Sequence, residues 1–241
     1  MDGNQTRLHQ TLKELYASAT GGETEVNVRV GDKKYRIDVL DQVAGNAYEI
    51  QIKQFGKAFY PKIQALSSLY NVIIIHPVPV VQHVTTWEHG LASQHVVRKR
   101  QDFYSIFERL VSFRAPDVIG KIQVRVLLVE ERVTRQLAGF HGRRPYYEVL
   151  DRDLVRVVGE RTYSGSRKFL AMLPSGLPCE FTNNDVAAML DIKGGRARKK
   201  KIAGCMTYSF CQLGLARRTG KRGNAHVFSI VESPSIVSSS C

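Results

Sequence analysis

Two runs of alternating apolar and polar residues constrain the fold more than any other part of this sequence. They occupy residues 35–40 and 48–53 and flank a segment, 41–46, whose ends are typical of turns. Such alternation indicates half-buried strands, so we expect an antiparallel hairpin. In a symmetric hairpin centred on the turn, Asp38 and Glu49 are equidistant from its midpoint and lie opposite each other.

The opposed acids require an explanation because like charges placed across two strands are destabilising. Directly opposed Cβ atoms lie about 5 Å apart. One interpretation is a solvated face, which is common in antiparallel hairpins. The other is a bound cation such as Mg²⁺, which proteins hold through one or two carboxylates together with phosphate oxygens. The second interpretation indicates phosphodiester chemistry.

The charge of the chain indicates the class of partner. Its 241 residues include 35 Lys and Arg against 22 Asp and Glu, a net charge of +13. This length allows one large domain or two small ones. An excess of positive charge favours a polyanion, because Lys and Arg are attracted to phosphate groups.

Cysteine spacing and hydropathy indicate the cellular environment that we expect for the chain. The four cysteines are far apart, and the chain begins without an apolar signal segment, so we expect a reducing, cytoplasmic environment. The longest apolar run, residues 72–75, is far too short to span a bilayer, and we expect no membrane partner.

The N-terminal half alternates helical and extended patterns. The predicted order is a helix at residues 6–19, a strand at 26–30, the two alternating strands, a helix at 61–70 and a buried strand at 71–75. Three mostly antiparallel strands followed by a helical crossover predict a mixed α/β sheet.

This order, with Asp38 on the second strand and Glu49-Ile50-Gln51 on the third, resembles the PD-(D/E)XK nuclease superfamily, also called restriction-endonuclease-like. The first helix and residues 37–39 and 48–51 look more specifically like a group of uncharacterised prokaryotic proteins. Members of that group join such a core to a C-terminal winged helix.

The resemblance implies roles for four residues. Asp38 and Glu49 would be the ligands of Mg²⁺ or Mn²⁺, and Gln51 would occupy the usual place of a lysine. In an alternative alignment Gln51-Ile52-Lys53 is the motif and Lys53 is the catalytic lysine. Positions 49, 51 and 53 would share one strand face, so both alignments use the same surface. The metal would activate water, which Gln51 or Lys53 would orient.

The first helix offers a further pair of polar residues. His9 and Lys13 are four residues apart and therefore share one helical face. They would either contact phosphate near the acids or form part of a solvated helix surface.

The rest of the chain predicts a second domain. An amphipathic helix spans residues 103–110, a strong strand spans 122–129, and residues 140–145 are typical of a loop or linker. We therefore predict a nuclease-like core at 1–135, a connecting segment at 136–160, a winged-helix domain at 161–232 and a flexible tail at 233–241.

The winged helix is predicted from the order of its elements. Thr182 caps a helix at residues 183–190, and a longer helix covers 196–213. Strands at 215–218 and 226–231 follow, joined by a flexible basic loop. In winged helices the second helix enters the major groove and the hairpin contacts the DNA backbone.

Residues 192–231 contain ten Lys and Arg and no acidic residue. Solvated charge runs normally mix signs, so this segment favours contact with nucleic acid. The predicted phosphate contacts are Arg196, Arg198, Lys199, Lys200, Arg217, Arg218, Lys221 and Arg222.

The sequence therefore predicts a metal-dependent DNA endonuclease with winged-helix recognition of double-stranded DNA. The alternative is a non-enzymatic DNA-binding protein or regulator with an inactive nuclease-like core. RNA is a less favoured partner, because a helix that suits a major groove fits A-form RNA poorly. Cleavage of both DNA strands would need two active sites, which a homodimer would supply, or two successive cuts by one chain.

Overall fold

The computed structural model describes residues 6–56 and 58–231, so the predicted tail at 233–241 lies outside the described residues. The chain has a mixed α/β fold, with a large sheet of parallel and antiparallel strands and a second, small sheet. No helix among the described residues has the length and hydropathy needed to cross a bilayer.

The described residues divide into two compact units. The first is drawn from Met1–Ile52, Ile75–Phe103 and Arg125–Arg161. The second is drawn from Lys53–Ile74, Tyr104–Val124 and Thr162–Cys241.

The large sheet has seven strands in the order β1-β2-β3-β4-β6-β7, with β5 paired to β4. The strands are β1 (Glu23–Val30), β2 (Lys33–Asp41), β3 (Asn46–Ile50), β4 (Asn71–Glu88), β5 (Leu91–Arg98), β6 (Ile122–His141) and β7 (Arg144–Ser164). The predicted order of helix, three strands, helix and strand is confirmed, with α1 at Arg7–Thr20 and α2 at Phe59–Leu66.

Helix α1 forms where the sequence predicts it because its apolar residues recur every three or four positions. Leu8, Leu12 and Tyr16 are buried, and the ring of Tyr16 lies 5.4 Å from that of Tyr48 on β3. Gly21 ends the helix in the left-handed conformation that favours glycine, with φ of 68°. The buried face of α1 therefore packs on the β2–β3 hairpin.

Strand β4 is much longer than the predicted strand at 71–75, although it contains two prolines. The Gln51 N–H bonds to the Ile75 carbonyl, and pairing of β4 with β5 begins at Val81. Pro77 and Pro79 lie between these points. Proline has no N–H to donate to a neighbouring strand, so it is found in strands only where that donor is not needed.

The predicted connecting segment at 136–160 is wrong. These residues belong to the long hairpin of β6 and β7, which turns over Gly142-Arg143 alone. Gly142 has φ of 62°, as the first central position of a type II′ turn requires. Gly and Pro residues such as these are typical of linkers. Here the two-residue turn requires Gly142, and Pro145 is tolerated because β7 is the outer strand of the sheet.

The second unit contains several short helices, the 17-residue helix α6 and a three-stranded antiparallel sheet in the order β8-β10-β9. Its further elements are α3 (Phe107–Leu110), α4 (Gly165–Leu170), β8 (Glu180–Thr182), α5 (Asn183–Met189), α6 (Arg196–Gln212), β9 (Ala216–Arg222) and β10 (Ala225–Ile230). Phe107 and Phe210 meet edge to face, with ring centroids 5.3 Å apart, and join α3 to α6.

Several predicted boundaries in this unit are corrected. The helix expected at 103–110 is a 3-10 turn followed by the short α3. The flexible loop expected between the last strands is absent, because β9 continues to Arg222 and the turn is Gly223-Asn224. Strand β8 was not predicted, since three residues carry too little alternation to be recognised.

The cap of α5 is confirmed as a reciprocal capping box. Thr182 Oγ1 accepts from the Asp185 N–H, and Asp185 Oδ2 accepts from the Thr182 N–H at 2.7 Å. These bonds lower the pKa of Asp185, with the backbone bond from Thr182 as the largest cause. Two N–H groups at the helix start are thereby satisfied.

We expect Thr182→Ala to lower the free energy of unfolding by about 1 kcal/mol, because it removes the acceptor for a helix N–H. Urea denaturation followed by circular dichroism measures the loss. Thr219→Ala, in exposed β9, is the control and should be nearly neutral. Equal effects of the two substitutions would contradict a capping role.

Candidate active site and nucleic-acid interface

The predicted register of the acid-bearing hairpin is confirmed. Val39 pairs with Tyr48 and Leu40 with Ala47 across β2 and β3. Continued by one position, this register sets Asp38 opposite Glu49. The burial of Ile37 and Val39 on one face of β2 leaves Asp38 on the other.

A third carboxylate lies at the same level on β1. The pairs Thr24–Val39 and Val26–Ile37 flank Glu25 and Asp38, so these two positions face each other across β1 and β2. Glu25 has φ of 58°, a left-handed conformation that is unfavourable for a residue with a side chain. We call Glu25, Asp38 and Glu49 the acidic row.

Exposure falls steeply along the acidic row. The side chain of Glu25 is 43% exposed, Asp38 is half-buried and Glu49 is only 2% exposed. Asp38 Oδ2 accepts a hydrogen bond of 2.8 Å from the Ile50 N–H, which fixes the orientation of this carboxylate. The row therefore runs from an accessible acid to a buried one.

Helix α1 brings a lysine and a histidine to the acidic row. Lys13 is 1% exposed, and its Nζ lies 2.5 Å from Glu25 Oε1. This hydrogen bond is the largest cause that lowers the pKa of Glu25. One turn earlier, His9 Nε2 lies 3.5 Å from Asp38 Oδ2.

His9 and Lys13 are largely buried, so they do not belong to a solvated surface of α1. Their predicted shared face is correct, but it is turned towards the acidic row. The burial of Lys13 also conflicts with its predicted contact to phosphate, because its ammonium has almost no exposed surface. Glu25 was missed in the sequence because its role depends on the pairing of β1 with β2.

The predicted strand face shared by positions 49, 51 and 53 is wrong, because β3 ends at Ile50. Gln51 donates its N–H to the Ile75 carbonyl, and its own carbonyl lies 2.6 Å from Nδ1 of the buried His76. Lys53 is exposed in the irregular segment that follows. Gln51 therefore bonds to β4 beyond the end of β3, a tertiary contact that the hairpin pattern does not reveal.

The donor set of the acidic row consists of carboxylate oxygens, which suit a hard cation such as Mg²⁺. Among the described residues there is no group of three or more His, Cys, Asp or Glu side chains in a metal-binding arrangement. Two carboxylates remain compatible with Mg²⁺, since this ion usually keeps water and phosphate oxygens as its other ligands.

The predicted phosphate contacts divide between α6 and β9. On α6, Arg196 and Lys200 are exposed and Lys199 is half-buried, while Ile202 and Met206 face the interior. Arg198 is held within the unit, because it donates to the Lys193 carbonyl at 2.7 Å. Helix α6 therefore presents only part of its basic sequence to a partner.

The basic residues of β9 lie along the hairpin that follows. Arg217, Arg218 and Lys221 are exposed, whereas Arg222 lies 3.6 Å from Asp185. Desolvation, together with the charges of Arg218 and Lys221, lowers the pKa of His226. Both causes lower the histidine pKa because they disfavour the charged imidazolium.

A sequence comparison with protein families finds one match. Residues 6–164 match a family described as Domain of unknown function (DUF8091). The match ends with β7, so α4 to β10 lie outside it. No curated protein and no solved structure matches the chain significantly.

We expect Lys13→Met to destabilise the protein by about 1–3 kcal/mol at pH 7, because it removes a charged hydrogen bond beside the acidic row. Since Lys13 lowers the pKa of Glu25, this stabilisation is present above the unfolded pKa of a glutamate, about 4.3, and is lost as the pH falls. Urea denaturation at pH 7 and pH 4 should show a smaller cost at pH 4.

Lys34→Met, at an exposed position of β2, is the matched control and should cost little at either pH. An equal cost of Lys13→Met at both pH values would show that Lys13 contributes through packing rather than through charge.

Proposed function

The chain belongs to the DUF8091 family, whose function is unknown, and we propose that it is a metal-dependent DNA endonuclease that binds duplex DNA through a C-terminal winged helix. The observation that carries this proposal is the opposition of Asp38 and Glu49 on adjacent strands. The alternation of apolar and polar residues in the two strands predicts the same opposition from the sequence.

The opposed acids favour a function because their arrangement is costly. Two unit charges about 5 Å apart repel by about 3 kcal/mol at an effective dielectric constant of about 20. Glu49 also loses most of its hydration through burial. Residues that only support a fold are rarely of this kind, whereas pairs of like charges are often arranged at active sites.

In the proposed reaction each residue has a defined task. Asp38 and Glu49 would hold Mg²⁺ or Mn²⁺, with Asp38 oriented by the Ile50 N–H. When bound, the ion supplies neutralisation of the scissile phosphate and a lower pKa of the attacking water. Gln51 would orient that water, and His9 would keep the Asp38 carboxylate in place.

The order of elements supports a restriction-endonuclease-like core. Helix α1, strands β1 to β3, helix α2 and strand β4 follow in the predicted sequence, and β1 to β4 are neighbours in that order within the sheet. The acids lie on the second and third strands, as the resemblance implies.

The order of elements after β7 supports the winged helix. Helix α4, strand β8, helices α5 and α6 and strands β9 and β10 follow one another, and the sheet order is β8-β10-β9. In this interpretation α6 enters the major groove, and the β9–β10 hairpin is the wing that contacts the DNA backbone.

A second function is favoured by the same cluster of charges. Lys13 already neutralises Glu25, and His9 approaches Asp38, so the fold itself provides part of the compensation that a metal ion would give. In that case the chain is a DNA-binding protein or regulator, and the acidic row is a structural remnant.

Replacing the proposed metal ligands separates the two functions. We expect Asp38→Asn and Glu49→Gln to abolish Mg²⁺- or Mn²⁺-dependent nicking of supercoiled plasmid while binding to duplex DNA persists. The amide of Asp38→Asn retains an acceptor for the Ile50 N–H, so folding should be preserved. Asp32→Asn, at the exposed β1–β2 turn, is the control.

Mn²⁺ should also raise the melting temperature of the wild type and of Asp32→Asn but not that of either ligand variant. Equal nicking by all four proteins would place catalysis elsewhere or indicate a contaminant. Absence of nicking and of stabilisation by metal in the wild type would favour the regulator.

The basic surface is tested by a second set of variants. The triple substitution of Lys200, Arg218 and Lys221 by Ala should weaken binding to duplexes of any sequence, because these side chains would contact phosphates. The slope of log K against log salt should become shallower by about 0.9 for each phosphate that the variant no longer neutralises. Fluorescence anisotropy at several salt concentrations measures both effects.

The control removes the same net charge from the other unit, by substitution of Arg29, Lys33 and Lys34 by Ala. These residues are exposed on β1 and β2. If the control alters the slope as much as the test variant, net charge rather than a specific surface determines binding.

A further inference from the structure

The tip of the β6–β7 hairpin, residues 138–147, has a composition that the proposed reaction does not require. Tyr147 donates its hydroxyl to Glu88, the last residue of β4, so the rest of the tip extends past that point. Phe140 is 63% exposed, more than any other aromatic residue in the described part of the chain.

Apolar and basic side chains lie on different faces of this hairpin tip. The two-residue turn makes His141 and Arg144 the flanking pair and Phe140 and Pro145 the next pair, on opposite faces. The rings of His141 and Tyr146 lie 5.4 Å apart, as expected for residues on one face. Phe140 and Pro145 therefore form an apolar wedge.

The charged residues within the tip are of a single sign, and its Tyr147 contacts the carboxylate of Glu88. From residue 133 to residue 147 the sequence contains three arginines and no acid. Arg143 is the second residue of the turn, Arg144 follows it, and Arg135 stacks on the ring of Tyr147 with its guanidinium 4.3 Å from the centroid. The tip thus joins an exposed apolar group to guanidinium groups.

The neighbouring hairpin of β4 and β5 provides a contrast within the same unit. Its turn, His89-Gly90, lies between Glu88 and Leu91, with Leu91 76% exposed. An exposed apolar residue is present there too, but it follows an acid and has no arginine beside it. The combination of wedge and arginines is therefore a property of the β6–β7 tip rather than of hairpins in this fold.

We infer that the β6–β7 tip is a second DNA contact, which inserts Phe140 and Pro145 between base pairs from the minor groove while Arg143 and Arg144 bind the flanking phosphates. Side chains of Phe and Pro are among those that unstack base steps in this way and kink the duplex. The inference rests on the proposed binding of duplex DNA and adds that the DNA is bent.

The experiment uses the full chain and a duplex of about 30 base pairs with a fluorescent donor and acceptor at its ends. EDTA prevents cleavage, energy transfer reports the bend and anisotropy reports affinity. The variants are Phe140→Ala with Pro145→Ala, Arg143→Ala with Arg144→Ala, and the control Leu91→Ala.

The wild type and the control should increase energy transfer on binding. The wedge variant should lose this increase and bind about tenfold more weakly, within the range for removal of one aromatic side chain that stacks on bases. The arginine variant should have a shallower salt dependence, by about 0.9 in slope for each phosphate that it no longer neutralises. All these residues are exposed, so melting temperatures should not change.

Wild-type bending and affinity in the wedge variant would overturn the inference while leaving the proposed function intact. A wild type that does not bind duplex DNA would instead overturn the proposed function. If Phe140→Ala weakens binding to phosphatidylserine vesicles but not to DNA, the tip binds a membrane surface and the inference is wrong.

Discussion

The contact between Lys13 and Glu25 is the interaction on which the arrangement of the first unit depends. Three carboxylates at one level of adjacent strands repel one another, and a buried cation offsets this repulsion. Lys13 is buried because α1 packs its apolar face on the β2–β3 hairpin, so one packing event determines both the core and the charge balance. Buried ion pairs contribute little net stability, but removal of one partner is costly.

The members of the acidic row differ in exposure and in what contacts them. Lys13 binds Glu25, the exposed member, whereas Asp38 is oriented by a backbone N–H and approached by His9. In the proposed nuclease, Glu25 and Lys13 keep the row folded while Asp38 and Glu49 hold the ion. In the proposed regulator, the same residues would only maintain the fold. Metal-dependent stabilisation distinguishes these cases because it does not require turnover.

In the proposed function two surfaces of the chain would contact the polyanion, and they differ in physical character. The surface of α6 and β9 presents cations with few exposed apolar neighbours and suits recognition of the DNA backbone. The β6–β7 tip adds an exposed ring and a proline to its arginines and suits deformation of the duplex. These modes make different predictions for salt dependence and for bending.

Local patterns made several elements predictable. The periodicity of Leu8, Leu12 and Tyr16 predicted α1, the alternation around Asp38 and Glu49 predicted the hairpin and its register, and Thr182 predicted the start of α5. Each of these features depends on residues within a few positions of one another, so the signal survives in the sequence alone. The placement of His9 and Lys13 on one helical face follows from the same kind of local spacing.

Only the tertiary structure determined what these elements contact. The end of β3 at Ile50, the passage of β4 beyond Pro77 and Pro79, and the long hairpin in place of a linker all depend on which strands are neighbours. The same holds for Glu25, which joins the acidic row through pairing of β1 with β2, and for Lys13, which becomes buried through packing of α1. Sequence spacing specifies which face a side chain occupies, but hydrogen bonding and packing between distant segments specify what that face meets.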